Sequence, residues 1–292
     1  MTATTTKTIA VFAATGAQGG AVTDALLESG ARVRALLRDT TSDKARALAD
    51  RGVELVTIDL DDPASITTTL EGVDAFWFMT TPFVGTQEPD TIGETKQVLA
   101  LADAAAAANV PHVVFSSVGG AERDSGVPHF DSKYLVEQRL AALGLNTTIV
   151  RPAFFTENFH LMPPSVEDGT VVLRLPFPDG VKLQMIAVRD VGIIAAAALL
   201  DQGSIPESIE IAGDELTGSE IAAAHGDEAG LPWRYEALPL SVLDGQDDLQ
   251  AMFRWFAETP GYQADLQQVR DIHADSWTLR TWLDSINNAN AA

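Results

Sequence analysis

The 292-residue sequence contains no cysteine, and this absence removes several kinds of chemistry at once. Disulfide bonds, thiolate metal sites and thiol nucleophiles are all excluded. The opening residues, MTATTTKT, contain no apolar run of the kind that a signal peptide needs. We therefore expect a cytoplasmic protein, and we predict no metal site.

Basic residues are also scarce, since 19 Lys and Arg face 41 Asp and Glu and give a formal net charge of −22. Nucleic acids attract proteins through Lys and Arg, so direct nucleic-acid binding is not expected. Long apolar runs are absent too: the stretch Ala100 to Ala108 is interrupted by Asp103 and is far shorter than the roughly 20 residues of a membrane span. We expect no membrane segment.

Apolar strand-like segments alternate with helical patterns through the first half of the chain. Strands that are apolar along nearly their whole length are typical of a parallel sheet that helices cover on both faces. We therefore predict an α/β fold with a doubly wound, Rossmann-type sheet, which binds ligands outside the carboxyl ends of its strands. The predicted strands end at Phe12, Leu37, Ile58, Met79, Ser116 and Val150.

The character of the sequence changes after Pro152, where proline and phenylalanine become frequent. We predict a Rossmann domain over residues 1–152 and a smaller α+β substrate-binding lobe over residues 153–292. Helices are predicted from Asp190 to Asp201, from Ser219 to Ala229 and from Asp247 to Glu258, with a short strand near residues 208–212. The lobe is expected to pack tightly, and some of its strands could join the main sheet.

A phosphate-binding turn is predicted between the first strand and the first helix. The run Val11 to Gly20, VFAATGAQGG, ends an apolar strand in small residues, and helical spacing follows from Ala21 to Ser29. N–H groups at a helix start have no intrahelical acceptor, so they can bind a pyrophosphate. The alternative is a tight turn without a ligand. The predicted contact residues are Ala13, Ala14, Thr15, Gly16, Ala17, Gln18 and Gly19.

Ala13 stands where a G-x-x-G-x-x-G motif has its first glycine. This departure matters little if φ at Ala13 is negative, because alanine excludes only the conformations that require glycine.

Residues after the next strands extend the predicted dinucleotide site. Arg38, 22 positions after Gly16, could pair with a 2′-phosphate and so favours NADP over NAD. In the alternatives, Asp39 turns inward or Arg38 is a surface residue. Asp59 and Leu60 are placed to contact adenine. The alternative for Asp59 is a helix-capping acid, a role that Asp61 or Asp62 could supply equally well.

Three residues after the fourth strand, Thr80, Thr81 and Pro82, are predicted to line the middle of the cofactor.

The segment HFDSKY, residues 129–134, places an imidazole four positions before an amine, so both lie on one side of a predicted helix. Short-chain dehydrogenases carry Tyr-x-x-x-Lys at this place, and their lysine bonds the nicotinamide ribose. We therefore predict that Lys133 contacts the cofactor and that His129 replaces the tyrosine as a proton shuttle. The alternatives are that His129 packs or caps the helix start and that Lys133 is a surface lysine.

Six segments together make the chain resemble the NmrA-like family, an atypical branch of the short-chain dehydrogenase/reductases. They are ATGAQGG at 14–20, VRALLRD at 33–39, HFDSK at 129–133, RPAFFTENF at 151–159, VRDVG at 188–192 and LQAMFRWF at 249–256. The resemblance implies a Rossmann fold that binds NADP (NADPH) more often than NAD. NAD is the alternative cofactor, since Ser42 and Asp43 stand where some relatives carry basic residues. The implied cofactor contacts are Thr15, Gly16, Ala17, Gln18, Arg38, Asp59, Leu60, Lys133, Phe155, Thr156, Glu157 and Asn158.

The preferred function is an NAD(P)H-dependent reductase that transfers hydride to a quinone-like or polycyclic aromatic small molecule. Lys133 would position the nicotinamide, and His129, His160 or water would supply the proton. The alternative for the aromatic residues is an ordinary core. The predicted substrate contacts are Phe155, Phe159, His160, Trp233 and Phe253.

Two other functions stay open. The family also contains non-enzymatic NADP(H) redox sensors, and the missing tyrosine at position 129 favours this alternative. A tailoring oxygenase of aromatic secondary metabolism is the other, since the alanine-rich, acidic composition suits a bacterial setting. The chain is expected to act as a monomer or a homodimer.

Overall fold

Strands and helices alternate through the first half of the computed structural model, which describes residues 6–80 and 91–290. In chain order they are β1 (Thr8–Phe12), α1 (Ala17–Glu28), β2 (Arg32–Leu37), α2 (Asp43–Asp50), β3 (Glu54–Thr57), α3 (Pro63–Thr69), β4 (Ala75–Met79), α4 (Thr91–Ala107), β5 (Val113–Ser116), α5 (Pro128–Ala142) and β6 (Thr147–Pro152).

Shorter strands and helices follow in the second half. They are β7 (Phe154–Phe155), β8 (Ser165–Glu167), β9 (Thr170–Leu175), β10 (Lys182–Ile186), α6 (Val188–Leu200), β11 (Ser208–Ile211), β12 (Asp214–Thr217), α7 (Gly218–Ala229), β13 (Trp233–Ala237), α8 (Asp247–Glu258), α9 (Leu266–Ile272) and α10 (Leu279–Asn290). Two 3₁₀ segments, Thr156–His160 and Leu240–Leu243, complete the set. None of the helices in the described ranges is both long and apolar enough to cross a bilayer.

The main sheet has seven strands in the order β11-β6-β5-β4-β1-β2-β3. Its registers are parallel, with Phe12 opposite Leu36 and Val11 opposite Trp77. The order reverses between β1 and β4, which is the switch point of a doubly wound sheet. The predicted α/β Rossmann-type fold is confirmed.

Apolar side chains cover both faces of the central strands. Every residue of β4 is buried, so its sequence AFWFM shows no polar alternation. On one face the Phe76 ring stacks on Phe78 with centroids 5.1 Å apart, and Phe115 lies 5.0 Å from Phe78. Helices α4 and α5 contribute Leu101 and Leu140 to the same core cluster.

Helix α1 begins at Ala17, one turn before the apolar helical spacing that starts at Ala21. Apolar spacing marks only the part of a helix that faces the core, and the first turn of α1, AQGG, is small and polar. Gly16 has an extended conformation as the N-cap, and its carbonyl accepts the N–H of Gly20 at 2.8 Å. The helix therefore opens within the run Val11 to Gly20, where the phosphate-binding turn is predicted.

The described residues fall into two compact units, and each unit is discontinuous in sequence. Unit 1 comprises residues within 1–117, 132–151 and 191–209, and unit 2 comprises those within 118–131, 152–190 and 210–292. Two three-stranded sheets, β12-β10-β7 and β13-β9-β8, belong to the second half of the chain. Most of these strands were not predicted, because they are short and lie among prolines. The domain division at residue 152 stays a prediction.

A buried histidine in unit 1 gives this fold a pH dependence. The His112 side chain is 1% exposed, and its Nε2 lies 3.0 Å from the Thr148 hydroxyl. Burial, together with the positive charge of Lys7, lowers the pKa of His112 below its usual value of 6.5. Folding therefore opposes protonation of this ring.

Replacing His112 by glutamine is expected to reduce the loss of stability in acid. Because the folded pKa is lowered, the unfolded chain binds more protons between the two pKa values. The stabilisation is fully present above pH 6.5. It falls below that pH by up to about 1.4 kcal/mol per pH unit. Urea unfolding at about pH 7 and about pH 5 should show a larger loss in the wild type than in H112Q. Equal losses would contradict this assignment.

Candidate functional site

The carboxyl ends of the strands of unit 1 lie on one edge of the sheet. Register places Phe12 beside Leu36, Met79 beside Ser116, and Ser116 beside Val150. Because these strands are parallel, the residues that follow them emerge along the same edge. Those in unit 1 are Ala13 to Gly16, Arg38, Asp59, Leu60, Thr80 and Ser117.

The turn between β1 and α1 presents backbone N–H groups at this edge. The N–H of Ala13 donates to Leu36 at 3.0 Å, and the N–H of Gly16 donates to Ala13 at 2.8 Å. Gly16, the N-cap, has no side chain that could accept from the first turn of α1. The N–H groups of Ala17, Gln18 and Gly19 therefore lack intrahelical acceptors, and the helix dipole favours an anion beside them.

Gly19 is fixed by its close approach to this turn. A Cβ atom at position 19 would lie 2.3 Å from the Ala13 carbonyl oxygen, a distance that real Cβ atoms do not show. Gly20 has room by comparison, since a Cβ there would lie 3.6 Å from the Ala14 oxygen. The backbone of α1 thus rests directly on the turn, and only glycine at position 19 permits this approach.

The replacement of glycine by Ala13 was expected to matter little if φ at Ala13 were negative. In the structure this φ is +52°, so the condition is not met. The left-handed region costs an alanine about 1–2 kcal/mol relative to its preferred conformations. Hydrogen bonds of both Ala13 backbone groups, to Leu36 and Gly16, hold it there. Alanine therefore occupies a conformation in which glycine would be unstrained.

Arg38 follows β2 as an exposed cation. Within the described part of the chain, no hydrogen bond or ion pair of its guanidinium is found. Asp39 is turned to Thr41 instead, accepting from its N–H at 2.7 Å and from its hydroxyl at 2.6 Å. These bonds lower the pKa of Asp39. Asp39 thus has no ion pair with Arg38, and the inward-turned alternative for Asp39 stays open.

The residues after β3 and β4 differ in how firmly they are held. Asp59 accepts the N–H of Asp61 at 2.9 Å in a turn, whereas Asp62 caps α3, so the capping alternative belongs to Asp62. Leu60 packs against the core cluster. Thr80 is 4% exposed, and its hydroxyl has no hydrogen-bond partner among the described residues. Thr81 and Pro82 lie outside the described residues.

A buried ion pair was missed by the sequence analysis. Arg151 donates to both carboxylate oxygens of Glu137, at 3.0 and 2.6 Å, and the Ser117 hydroxyl donates to the same carboxylate. Nearby, Ser116 donates to the Gln18 side chain at 2.7 Å and so ties α1 to the end of β5. An arginine near the carboxyl end of β6 was the available signal, but its acidic partner is set by the fold.

Lys133 and His129 both lie on α5, one helical turn apart, and both side chains are buried. Glu137 lies one turn after Lys133. His129 Nδ1 is bonded to the Asp248 carboxylate, whose other oxygen accepts the His129 backbone N–H at 2.9 Å. Asp248, on α8, was not singled out from the sequence, because nothing local marks it as a partner of His129.

Other predicted residues lie in unit 2, around the 3₁₀ segment Thr156–His160. Phe155 is partly buried on β7, and Asn158 accepts the N–H of Leu161 at 2.9 Å. Both Glu157 oxygens accept the N–H of Val188, at 3.0 and 3.1 Å, and burial raises the pKa of Glu157.

The structure gives different surroundings to the predicted substrate contacts. Phe159 is 3% exposed and Phe253 is 2% exposed, so the core of unit 2 takes up both rings. Trp233 is 42% exposed on β13, and the exposed His160 ring lies 5.0 Å from that of Trp282. Their roles toward a substrate stay predictions.

The sequence of this chain matches the model of the NmrA-like family over residues 5–283. The chain belongs to the NmrA-like family. A curated relative, the NAD(P)H azoreductase of Xenophilus azovorans, is 35% identical over 235 residues, which cover 80% of this chain and 77% of the relative.

Two solved structures superpose closely on the chain. The quinone oxidoreductase QOR2 of Escherichia coli, crystallised with NADPH, has a TM-score of 0.82 and 25% identity, covering 95% of this chain and 99% of that one. NmrA, a negative transcriptional regulator crystallised with NAD, has a TM-score of 0.80 and 21% identity, covering 98% of each chain.

Replacing Gly19 by alanine is expected to destabilise this NmrA-like protein by about 1–3 kcal/mol, because the new Cβ would force α1 away from Ala13. The matched control is Gly20→Ala, in the same helical turn, where a Cβ meets only an ordinary contact at 3.6 Å. Denaturant unfolding measures both. A G19A variant as stable as G20A would show that the close approach is not required.

Proposed function

We propose that this NmrA-like protein is an NAD(P)H-dependent oxidoreductase that reduces an apolar, quinone-like or azo-type aromatic small molecule by hydride transfer. The azoreductase relative, at 35% identity, supports the reaction class, and the 25%-identical quinone oxidoreductase supports the same cofactor. One observation carries the proposal. The N-terminus of α1, whose first N–H groups have no capping side chain, lies on the same edge of the sheet as Arg38, for which no partner is found among the described residues.

The residues of unit 1 fit a dinucleotide in three respects. The first-turn N–H groups of α1 would hold the diphosphate, and Gly19 keeps them against the turn. Arg38 would hold the 2′-phosphate of NADP. The buried Thr80 hydroxyl, which lacks a partner among the described residues, would gain one from a bound ligand.

The chain's own part in the reaction is binding and orientation. When bound, a nicotinamide cofactor supplies the hydride. Lys133 is proposed to bond the nicotinamide ribose and so to fix the orientation of the ring. Asp59 and Leu60 are proposed to contact adenine, and Phe155 to Asn158 to contact the rest of the cofactor. A proton is also needed to complete the reduction, and His129, His160 or water would provide it.

A redox-sensing role is the second candidate. The observation that favours it is the histidine at position 129, where short-chain dehydrogenases have a tyrosine and where Asp248 already binds the ring. A sensor would bind NADP(H) without consuming it.

The proposed function is tested by incubating the protein with NADPH and a panel of quinones, azo dyes and polycyclic phenols while absorbance and oxygen are followed together. NADPH loss without oxygen uptake is expected. Lys133→Ala should lower turnover at least about tenfold, because the ribose loses its positioning contact. Retained turnover in K133A would contradict the role of Lys133. Oxygen uptake would indicate an oxygenase, and tight NADP(H) binding without turnover would indicate a sensor.

Replacing Arg38 by alanine is expected to weaken NADPH binding roughly tenfold or more while leaving NADH binding nearly unchanged, since only NADPH carries the 2′-phosphate. The matched control is Arg32→Ala, an exposed arginine at the opposite end of the same strand. Isothermal titration calorimetry with both nucleotides measures the effect. Equal losses for NADH and NADPH would place the 2′-phosphate elsewhere.

A further inference from the structure

Strand β13 lies at one end of the three-stranded sheet β13-β9-β8 in unit 2, and it runs parallel to β9. At the start of this pairing, the carbonyl of Pro232 accepts the N–H of Val171 at 2.8 Å. At its end, the N–H of Leu238 donates to the carbonyl of Leu175 at 3.0 Å. Alternate residues of a parallel strand bond to the same neighbour, so the even-numbered residues of β13 bond to β9.

The odd-numbered residues of β13 therefore direct their backbone N–H and carbonyl groups away from β9. These residues are Trp233, Tyr235 and Ala237. Among the described residues, no hydrogen bond of these backbone groups is found outside the pairing with β9. Trp233 is 42% exposed, and Ala237 is exposed as well. The strand thus presents a hydrogen-bonding edge that a further strand can complete.

Oppositely charged side chains lie along the same edge. Arg234 and Glu236 are two residues apart on one face of the sheet, and their side chains are 43% and 38% exposed. Arg234 Nε donates to Glu236 at 2.7 Å, and Arg234 Nη2 donates to Glu167 on β8 at 3.0 Å. No acceptor for Arg234 Nη1 is found in the described part of the chain. The guanidinium can therefore bind a further carboxylate at this edge.

The charges of β13 complement those of a second, antiparallel copy of β13. With a two-fold axis at Tyr235, Tyr235 pairs with its own counterpart and Trp233 pairs with Ala237, so each outward N–H meets an outward carbonyl. The same register places Arg234 opposite Glu236 of the second copy. A shift by two residues would place Arg234 opposite Arg234, or Glu236 opposite Glu236, and like charges directly opposite each other destabilise a sheet. The charge pattern thus selects one register.

The other face of the edge fits this register too. The exposed indole of Trp233 would lie opposite Ala237 of the second copy, whose small side chain leaves space for it. The Tyr235 hydroxyl donates to the carbonyl of Phe177 at 2.7 Å, so this ring stays bound to its own chain. Both faces of β13 are therefore compatible with a second copy.

The opposite edge of the sheet, β8, lacks these features. It has only the residues Ser165, Val166 and Glu167. Antiparallel pairing of β8 with itself about Val166 would place Ser165 opposite Glu167 and would bring no opposite charges together. Very short edge strands also offer little backbone for pairing. Of these two edges, β13 is the one that fits a second copy.

We propose that β13 is a homodimer interface, in which the β13 strands of two copies pair antiparallel about Tyr235 and form one sheet through both copies. Because both copies contribute the same strand, the contact is closed and does not propagate into a fibre. The next outward N–H along the chain would belong to residue 239, which is proline, so the pairing ends beside β13. This interface does not depend on the proposed enzymatic function.

The test measures self-association of the full chain by sedimentation velocity from about 1 to about 300 µM, because a small interface of this kind is expected to have a Kd in the micromolar range. The wild type should dimerise. Glu236→Arg and Arg234→Glu should each weaken the dimer at least about tenfold, because each places like charges opposite each other across the axis. Circular dichroism checks that each variant is folded.

Glu167→Arg is the matched control. Glu167 forms ion pairs with Arg174 and Arg234, the same two arginines that Glu236 binds, but it lies on β8, away from the proposed interface. E167R should therefore dimerise like the wild type. If E167R weakened the dimer as much as E236R, the edge of β13 would not be the interface.

An equimolar mixture of E236R and R234E tests the register. In a mixed dimer each chain supplies the charge that the other has lost, so both pairs across the axis are again arginine with glutamate. The mixture should form a heterodimer, detected by native mass spectrometry, with a Kd within about threefold of the wild type. A monomeric wild type, a single variant that dimerises like the wild type, or a mixture that stays monomeric would each overturn the proposal.

A second measurement uses the wild type alone. The backbone N–H groups of Trp233, Tyr235 and Ala237 should exchange with deuterium more slowly at high than at low protein concentration, because they bond to the second copy only in the dimer. Peptides that contain β8 should show no such change. Equal exchange of the β13 peptide at both concentrations would overturn the proposal even if a dimer formed.

Discussion

The approach of α1 to the turn that precedes it is the constraint on which the rest of the candidate site depends. With only hydrogen at position 19, the first turn of the helix comes within contact of the Ala13 carbonyl. That contact sets where the uncapped N–H groups point relative to the edge of the sheet. Ala13 in the same turn has a left-handed conformation, which its backbone hydrogen bonds to Leu36 and Gly16 hold.

Two hydrogen-bonded pairs, each with a buried carboxylate, occur on or beside α5. In each pair, one residue makes two hydrogen bonds to an almost fully buried carboxylate. Arg151 bonds twice to Glu137, and His129 bonds to Asp248 through its ring and its backbone N–H. An ion pair such as Arg151 with Glu137 adds little net stability, since desolvation consumes most of the attraction, but removing one partner leaves a charge uncompensated and costs about 3–5 kcal/mol. Their value lies in holding side chains in one geometry.

The hydrophobic pattern predicted the first half of the fold well, because nearly every residue of strands such as AFWFM is buried on both faces. It failed where short-range chemistry decides the outcome. The sign of φ at Ala13 depends on hydrogen bonds to Leu36 and Gly16 that no spacing rule reveals. Among the aromatic residues, composition alone did not separate Phe159 and Phe253, which the core encloses, from the partly buried Phe155.

What the sequence by itself determined is local: the order of strands and helices, the small residues of the first turn, and a cation after the second strand. Each of these follows from periodicity or from the conformations open to neighbouring residues. Tertiary structure alone decided which distant groups meet. Asp248 binds a ring 119 positions earlier in the chain. Its partner could not be read from sequence spacing, because the direction and depth of a buried side chain depend on how whole helices pack.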